Sequence, residues 1–165
     1  MGSRAKALIM LLVALLAAQF TAGEGAAKEE DPSSRLLRAA DGLQMPGSEG
    51  DSSWWFVSYS GEEELPTAER MASLDGCADF PEGVMTRLDF DATFDSLSRV
   101  QPWMDGGQKK SAHGFSRLRQ LFHREYGYDL AVYRCDTNRY GEVRIYFLGL
   151  DDKGLAGLKT INIET

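Results

Sequence analysis

Three β-forming segments close the chain, Asp129–Cys135, Glu142–Leu150 and Leu155–Glu164, and the residues between them, Asp136–Gly141 and Asp151-Asp152-Lys153-Gly154, are turn formers. Connections this short carry no crossover, so consecutive strands must pair antiparallel as a meander whose faces need cover. The cover has to come from upstream. Just before the first of these strands, Phe115, Leu118, Leu121, Phe122 and Tyr126 recur at helical spacing. Arg117, Arg119, Gln120 and Arg124 fall on the opposite side and Gly127 follows, which predicts an amphipathic helix from Ser111.

The earlier segments supply further cover and two long loops. Asp31 can N-cap a helix with Pro32 at its first position, Leu36, Leu37, Ala40 and Leu43 form its stripe, and Gly42 is placed to end it. Gln44–Ser53 holds a proline, two glycines, three serines and two acids, and reads as a loop. Trp54–Tyr59 is a strand with Trp54 and Phe56 on one face and Trp55, Val57 and Tyr59 on the other. Two apolar faces predict a central strand and make the Trp54-Trp55 pair core rather than an exposed aromatic platform. Glu62-Glu63-Glu64 reads as a solvated turn, and Thr67 caps a short helix through Leu74 closed by Gly76. Val84, Thr86, Leu88 and Phe90 alternate along one side of a strand, and Asp91 caps a turn or two of helix through Leu97. Arg99–Lys110, with Pro102, Gly106 and Gly107, is the second long loop. The order predicts an α+β fold, an antiparallel sheet with helices packed on it as an αβα sandwich.

The N-terminus stands apart from this pattern. Arg4 and Lys6 precede Ala7–Ala18, an apolar run of 12 residues followed by small and polar ones. That is a signal-peptide pattern, too short for the roughly 20 residues that span a bilayer. We divide the chain into a signal peptide at 1–23, a short charged spacer at 24–34 and one domain at 35–165, although the helix signal itself reaches back to Asp31. Removing Met1–Gly23 takes away two cations and no acid, so the net charge moves from −7 to −9. An acidic chain of this kind argues against direct nucleic-acid binding and against a membrane partner after signal cleavage. It suits a basic protein surface, including one that itself binds nucleic acid. Two cysteines exclude a disulfide-stapled mini-protein and a four-cysteine zinc site. Cys77 and Cys135, 58 residues apart, are either one disulfide in an exported chain or two buried thiols.

Catalytic apparatus does not show. His113 and His123 are separated by about 15 Å of helical rise and cannot share a metal. His123 and Glu125, two apart on a helix, point to different sides. No Gly-x-Ser-x-Gly, Gly-x-x-x-x-Gly-Lys-Ser/Thr or His-Glu-x-x-His is present. A small hydrolase built on Glu49 with His113 or His123 has no nucleophile with an oriented base, so neither an enzyme nor a cofactor is expected. What remains is two loops, one bearing Ser48 and Glu49 and the other Gln101 and Trp103. An exposed tryptophan in a proline-interrupted loop is an interface anchor, which favours binding over turnover.

Leu37-Arg38-Ala39-Ala40-Asp41-Gly42-Leu43 with Ser48-Glu49, and then Val132-Tyr133-Arg134, Val143–Gly149, Gly154-Leu155-Ala156-Gly157 and Ile161–Thr165, together resemble the nuclease A inhibitor family. The resemblance covers residues 36–165. It implies a small acidic α+β sandwich, a monomer that forms a 1:1 complex with an exported, magnesium-dependent, sugar-non-specific ββα-metal endonuclease and blocks it. Carried over residue by residue, it places the partner contacts on Glu49, Gln101, Trp103 and Thr165, with Thr165 reaching the partner's metal ion and no metal held by the chain itself. The departures are the two cysteines, a longer turn at Asp136–Gly141 and different filling between Glu62 and Glu82. The same scaffold with another protein partner is the alternative.

Overall fold

The computed structural model describes residues 30–48, 52–80 and 82–164; the segment read as a signal peptide, Glu49 and Thr165 lie outside them. The described elements run α1 Pro32–Ala40, β1 Trp54–Tyr59, α2 Ala68–Asp75, a 3-10 turn Cys77–Asp79, β2 Val84–Leu88, α3 Phe90–Leu97, α4 Gly106–Tyr126, β3 Leu130–Asp136, β4 Glu142–Asp151 and β5 Gly154–Ile163. The five strands form one antiparallel sheet in the order β1-β5-β4-β3-β2. The meander at its centre is the one expected from the two short turns.

Each face of the sheet has its own core. On one face Val132, Val143, Ile145, Phe147 and Leu158 meet α1, α3 and α4 through Leu36, Ala40, Phe94, Phe115, Leu118 and Phe122. On the other, Ala131, Tyr133, Cys135, Tyr146, Leu148 and Leu155 meet Met71 of α2 and Cys77 of the 3-10 turn. Helices on both faces make the α+β sandwich. Arg35 fastens α1 to the far end of α4, its Nη2 2.5 Å from Glu125 Oε2. The thinner second layer is tied down by polar links as well. The Tyr133 hydroxyl donates to Pro66 O at 2.7 Å, and the Tyr146 hydroxyl donates to Asp75, which also meets Lys159 Nζ at 3.1 Å. Burial pushes the Tyr133 phenol up to about 12, so the group stays a donor throughout the neutral range. The Cys77–Cys135 disulfide joins the 3-10 turn to β3, and both sulfurs are fully buried.

Five local expectations need correction. β1 is an edge strand that pairs only with β5. Its two apolar faces arise because both helical layers extend over the edge, with Trp54 and Phe56 packed on the first core and Val57 and Tyr59 on the second. Trp54 is core, its ring 5.7 Å from that of Phe147, whereas Trp55 is 45% exposed. In β2 the apolar alternation lies on the face of Val132 but at an uncovered edge: Val84 and Leu88 are exposed, and Met85 on the other face turns toward the disulfide core. The strand stops at Leu88 because Asp89, not Asp91, caps α3, accepting from Ala92 N at 2.7 Å. Finally α4 begins at Gly106 rather than Ser111. A capping box between Asp105 and Gln108 satisfies the free N–H groups and outweighs the helix-weakening of Gly106-Gly107.

The disulfide closes a 58-residue separation over the face that has less helical cover. By loop entropy, replacing both cysteines with serine should cost about 4 kcal/mol. Urea denaturation of the native and double-serine proteins checks this as a shift of the midpoint, and intact-mass analysis after alkylation without reductant should show no labelled thiol in the native protein.

Candidate functional site

The strand directions bring the long loops to one end of the sheet. Trp54 starts β1 opposite Thr160, Glu142 starts β4 opposite Ile163, and Val84 starts β2 opposite Asp136. The loop before β1, the β3–β4 turn and the exit of β5 therefore share one end. The chain passes from the C-terminus of α4 into β3 through a short connection at the other end, so the N-terminus of α4 and the loop before it lie here too.

The loop carrying Glu49 springs from fixed posts. Leu43 and Met45 are buried, Trp54 Nε1 donates to Leu43 O at 3.0 Å, and Gln44 N donates to Ser111 Oγ at 3.3 Å. Met45 N donates to Ser52 Oγ at 2.9 Å, which pinches the two arms of the loop together below its tip. The tip itself, residues 49–51, lies outside the described residues.

Trp103 is the most exposed tryptophan, at 74%. It sits on a tight turn in which Met104 N donates to Gln101 O at 3.2 Å and Gln101 N donates to Met104 Sδ at 3.3 Å, so the indole is thrown outward at the corner. The same tryptophan lines a cavity of about 220 Å³ with Gln44, Met45, Pro46, Gly47 and Ser48 from the other loop. The structure thus brings Trp103 beside the near arm of the loop that holds Glu49, a juxtaposition of residues far apart in sequence.

The exit of β5 is clamped by a residue that the sequence did not single out for this. Arg134 on β3 grips Glu164 through both oxygens, Nη1 to Oε1 at 2.9 Å and Nη2 to Oε2 at 2.8 Å, and its other edge grips Asp136 at 3.2 and 2.8 Å. Asn162 Nδ2 adds a donor to Glu164 Oε1 at 3.0 Å, and Glu164 N donates to Gly141 O at 2.9 Å. The fork geometry of guanidinium suits two carboxylates at once, which lysine could not match. Hydrogen bonds first from Glu164 and then from Asp136 push the Arg134 value far up, and the Arg134 bonds hold the Glu164 carboxyl below its usual range against the opposing effect of burial. Thr165, the next residue, lies outside the described ones. No sequence signal could have found the clamp, because its partners stand 30 residues apart along the chain and only the register of the meander unites them.

The histidines are elsewhere. His123 is engaged at the opposite end of α4, Nδ1 3.0 Å from Gly127 O and Nε2 2.8 Å from Asp91 Oδ1, while Glu125 turns to Arg35. They point to different sides, as their spacing requires. His113 is exposed on the outer face of α4. Among the described residues no group of three or more His, Cys, Asp or Glu could hold a metal ion, and no helix is long and apolar enough to cross a membrane.

A carboxyl whose folded value is depressed contributes stability that is complete above its unfolded value, about 4.3 for glutamate, and is lost as pH falls through the lowered folded value. Acidification over that window should therefore reduce the amide-exchange protection of Glu164 and Ile163 before that of Leu158 in the middle of the strand. In Arg134→Met the end of β5 should be poorly protected already at neutral pH, and the acid step should vanish.

No curated protein matches the chain. The family model described as NuiA, nuclease A inhibitor-like protein, matches residues 31–165, which takes in α1 and every element after it. With a family match across the whole α+β sandwich, the chain belongs to the nuclease A inhibitor-like family.

Proposed function

We propose that the protein is an exported inhibitor that binds and blocks a magnesium-dependent, sugar-non-specific endonuclease as a 1:1 complex, without enzymatic activity, cofactor or nucleic-acid binding of its own. The observation that carries this reading is the match of the inhibitor family to residues 31–165, the entire folded domain. The gathering of the Gln44–Ser48 arm, Trp103 and the clamped exit of β5 at one end of the sheet supports it, because a single face can then engage a cleft.

The chemistry of the partner explains the division of labour. A groove that holds nucleic acid is basic, and an acidic protein competes for it by offering carboxylates in place of phosphates. Glu49 is the carboxylate that the Gln44–Ser53 loop offers to such a groove. Thr165 offers a hydroxyl, a hard oxygen ligand suited to the Mg²⁺ of the nuclease. The residue before it, Glu164, is gripped by Arg134 just past the end of β5. Trp103 supplies the apolar anchor between them, with Gln101 at the base of its turn. The residues at 1–23 act as the export signal, and the disulfide fits an oxidising destination.

Titrating a panel of purified magnesium-dependent nucleases with the protein tests the reading directly: a responsive nuclease should be silenced at one equivalent. Glu49→Ala, Trp103→Ala, or a two-residue extension beyond Thr165 should each cost about 2 kcal/mol of binding, roughly thirtyfold in affinity, without changing the unfolding temperature. A C-terminally extended protein that inhibits as tightly as the native one would remove Thr165 from the metal site and leave a binding module with a different contact or partner. Electrostatic docking gives a second expectation. The association rate constant should fall as ionic strength rises from low to physiological, and stopped-flow rates that stay flat would exclude mimicry of a phosphate backbone.

A further inference from the structure

The β3–β4 turn holds a tyrosine in a backbone conformation that tyrosine disfavours. Tyr140 has φ 54 and Asn138 φ 52, both in the left-handed region. Asparagine tolerates that region through its short polar side chain, but an aromatic residue crowds its own backbone there and glycine would not. The turn is nevertheless braced from several directions. Thr137 N and Oγ1 both donate to Glu142 O, at 3.2 and 2.9 Å, and Glu142 N donates to Arg139 O at 3.0 Å. Asn138 Nδ2 donates to the Glu82 carboxylate next to β2, and Gly141 O accepts from Glu164 N at 2.9 Å.

All this bracing delivers the Tyr140 ring to solvent. The side chain is 90% exposed, with only the Arg139 guanidinium lying 5.9 Å from its ring centre. The strain is therefore not repaid by burial, and a strained, well-braced residue with no role in the core points to recognition. The position of the turn says what it would recognise. Gly141 is hydrogen-bonded to the residue that precedes Thr165 and has no room for a side chain, because a Cβ there would collide with the Glu164 carbonyl oxygen. Tyr140 is thus locked to the shoulder of the β5 exit, on the end of the molecule that also carries Trp103.

We infer that Tyr140 is a further contact of the inhibitory face, laid on the nuclease surface at the rim of the metal site that Thr165 enters; this rests on the function proposed above. A tyrosine suits the position. It brings a large apolar ring and a hydroxyl that can pair with a polar rim, and it has few rotatable bonds to immobilise. The left-handed backbone at Tyr140 fixes the direction in which the ring leaves the turn, so part of the ordering is complete before the partner arrives.

Tyr128 provides the internal control, since it is 91% exposed but follows α4 at the opposite end of the sheet. With a nuclease that the native protein blocks, Tyr140→Ser and Tyr140→Gly should each weaken binding tenfold or more by titration calorimetry, Tyr140→Phe should stay within about threefold, and Tyr128→Ser should bind as the native protein does. Tyr140→Gly should at the same time unfold at an equal or higher temperature, because it relieves the left-handed strain while losing the contact. Tight binding by both Tyr140→Ser and Tyr140→Gly would overturn this contact and leave the inhibitor reading standing. A drop in unfolding temperature that parallels the lost affinity in all three Tyr140 variants would assign the ring to the fold and overturn it as well. A native protein that blocks no magnesium-dependent nuclease would overturn both readings together.

Discussion

Val132 and Tyr133 are neighbours in the chain and both are fully buried, one beneath the layer formed by α1, α3 and α4 and the other beneath α2 and the 3-10 turn. A strand with no solvent side cannot stand alone, and the same holds for β4, where Phe147 and Tyr146 divide in the same way. The need to cover both faces organises the molecule. It commits every helix to packing and places the two shorter strands at the edges. It also leaves the connections, whose backbone polar groups need water or local partners, to collect at the ends. The helix-rich side has enough apolar surface to close by itself. The other side has one two-turn helix, so it is completed by a disulfide, by Tyr133 bonding to Pro66, and by the Asp75, Tyr146 and Lys159 network.

Charge follows the same division. The helical layer on α1 and α4 carries Arg35, Arg38, Lys109, Lys110, Arg117, Arg119 and Arg124, seven of the 18 cations of the chain. The segment from Glu62 to Glu82 that covers the other face holds seven acids and one cation, Arg70. A net charge of −7 therefore understates the field on the acidic side.

Much of the architecture was legible because it is written in local periodicity. Turn composition specified the meander, helical spacing located the middle of α4, and Asp31, Thr67, Gly42 and Gly76 marked the helix ends that the structure shows. The failures have a common cause, which is that local pattern carries no information about what lies alongside. Trp54–Tyr59 looks central because it is covered twice, not because it is paired twice. The alternation of Val84, Thr86 and Leu88 suggests an inner face, and the register does put Leu88 on the face of Val132, but at a sheet edge where Val84 and Leu88 stay exposed, while Met85 pairs with Cys135. Gly106-Gly107 reads as loop until the Asp105–Gln108 box is seen to outweigh it. At the candidate site, Trp103 was visible from composition, but its pairing with the Gln44–Ser48 arm, and the grip of Arg134 on Glu164, depend on contacts that only the folded register creates.

The bond between Cys77 and Cys135 ties stability to place. A fold whose second face is finished by an oxidation step has a different free energy on the two sides of a redox boundary, even though its sequence is the same on both. Before the thiols join, α2 and the 3-10 turn are held to β3 without a covalent link, and the chain is easier to unfold. After they join, the same segment resists opening. The disulfide thus makes the rigidity of the second face a function of the redox poise around the chain, pliant where thiols are kept reduced and stiff where they are oxidised.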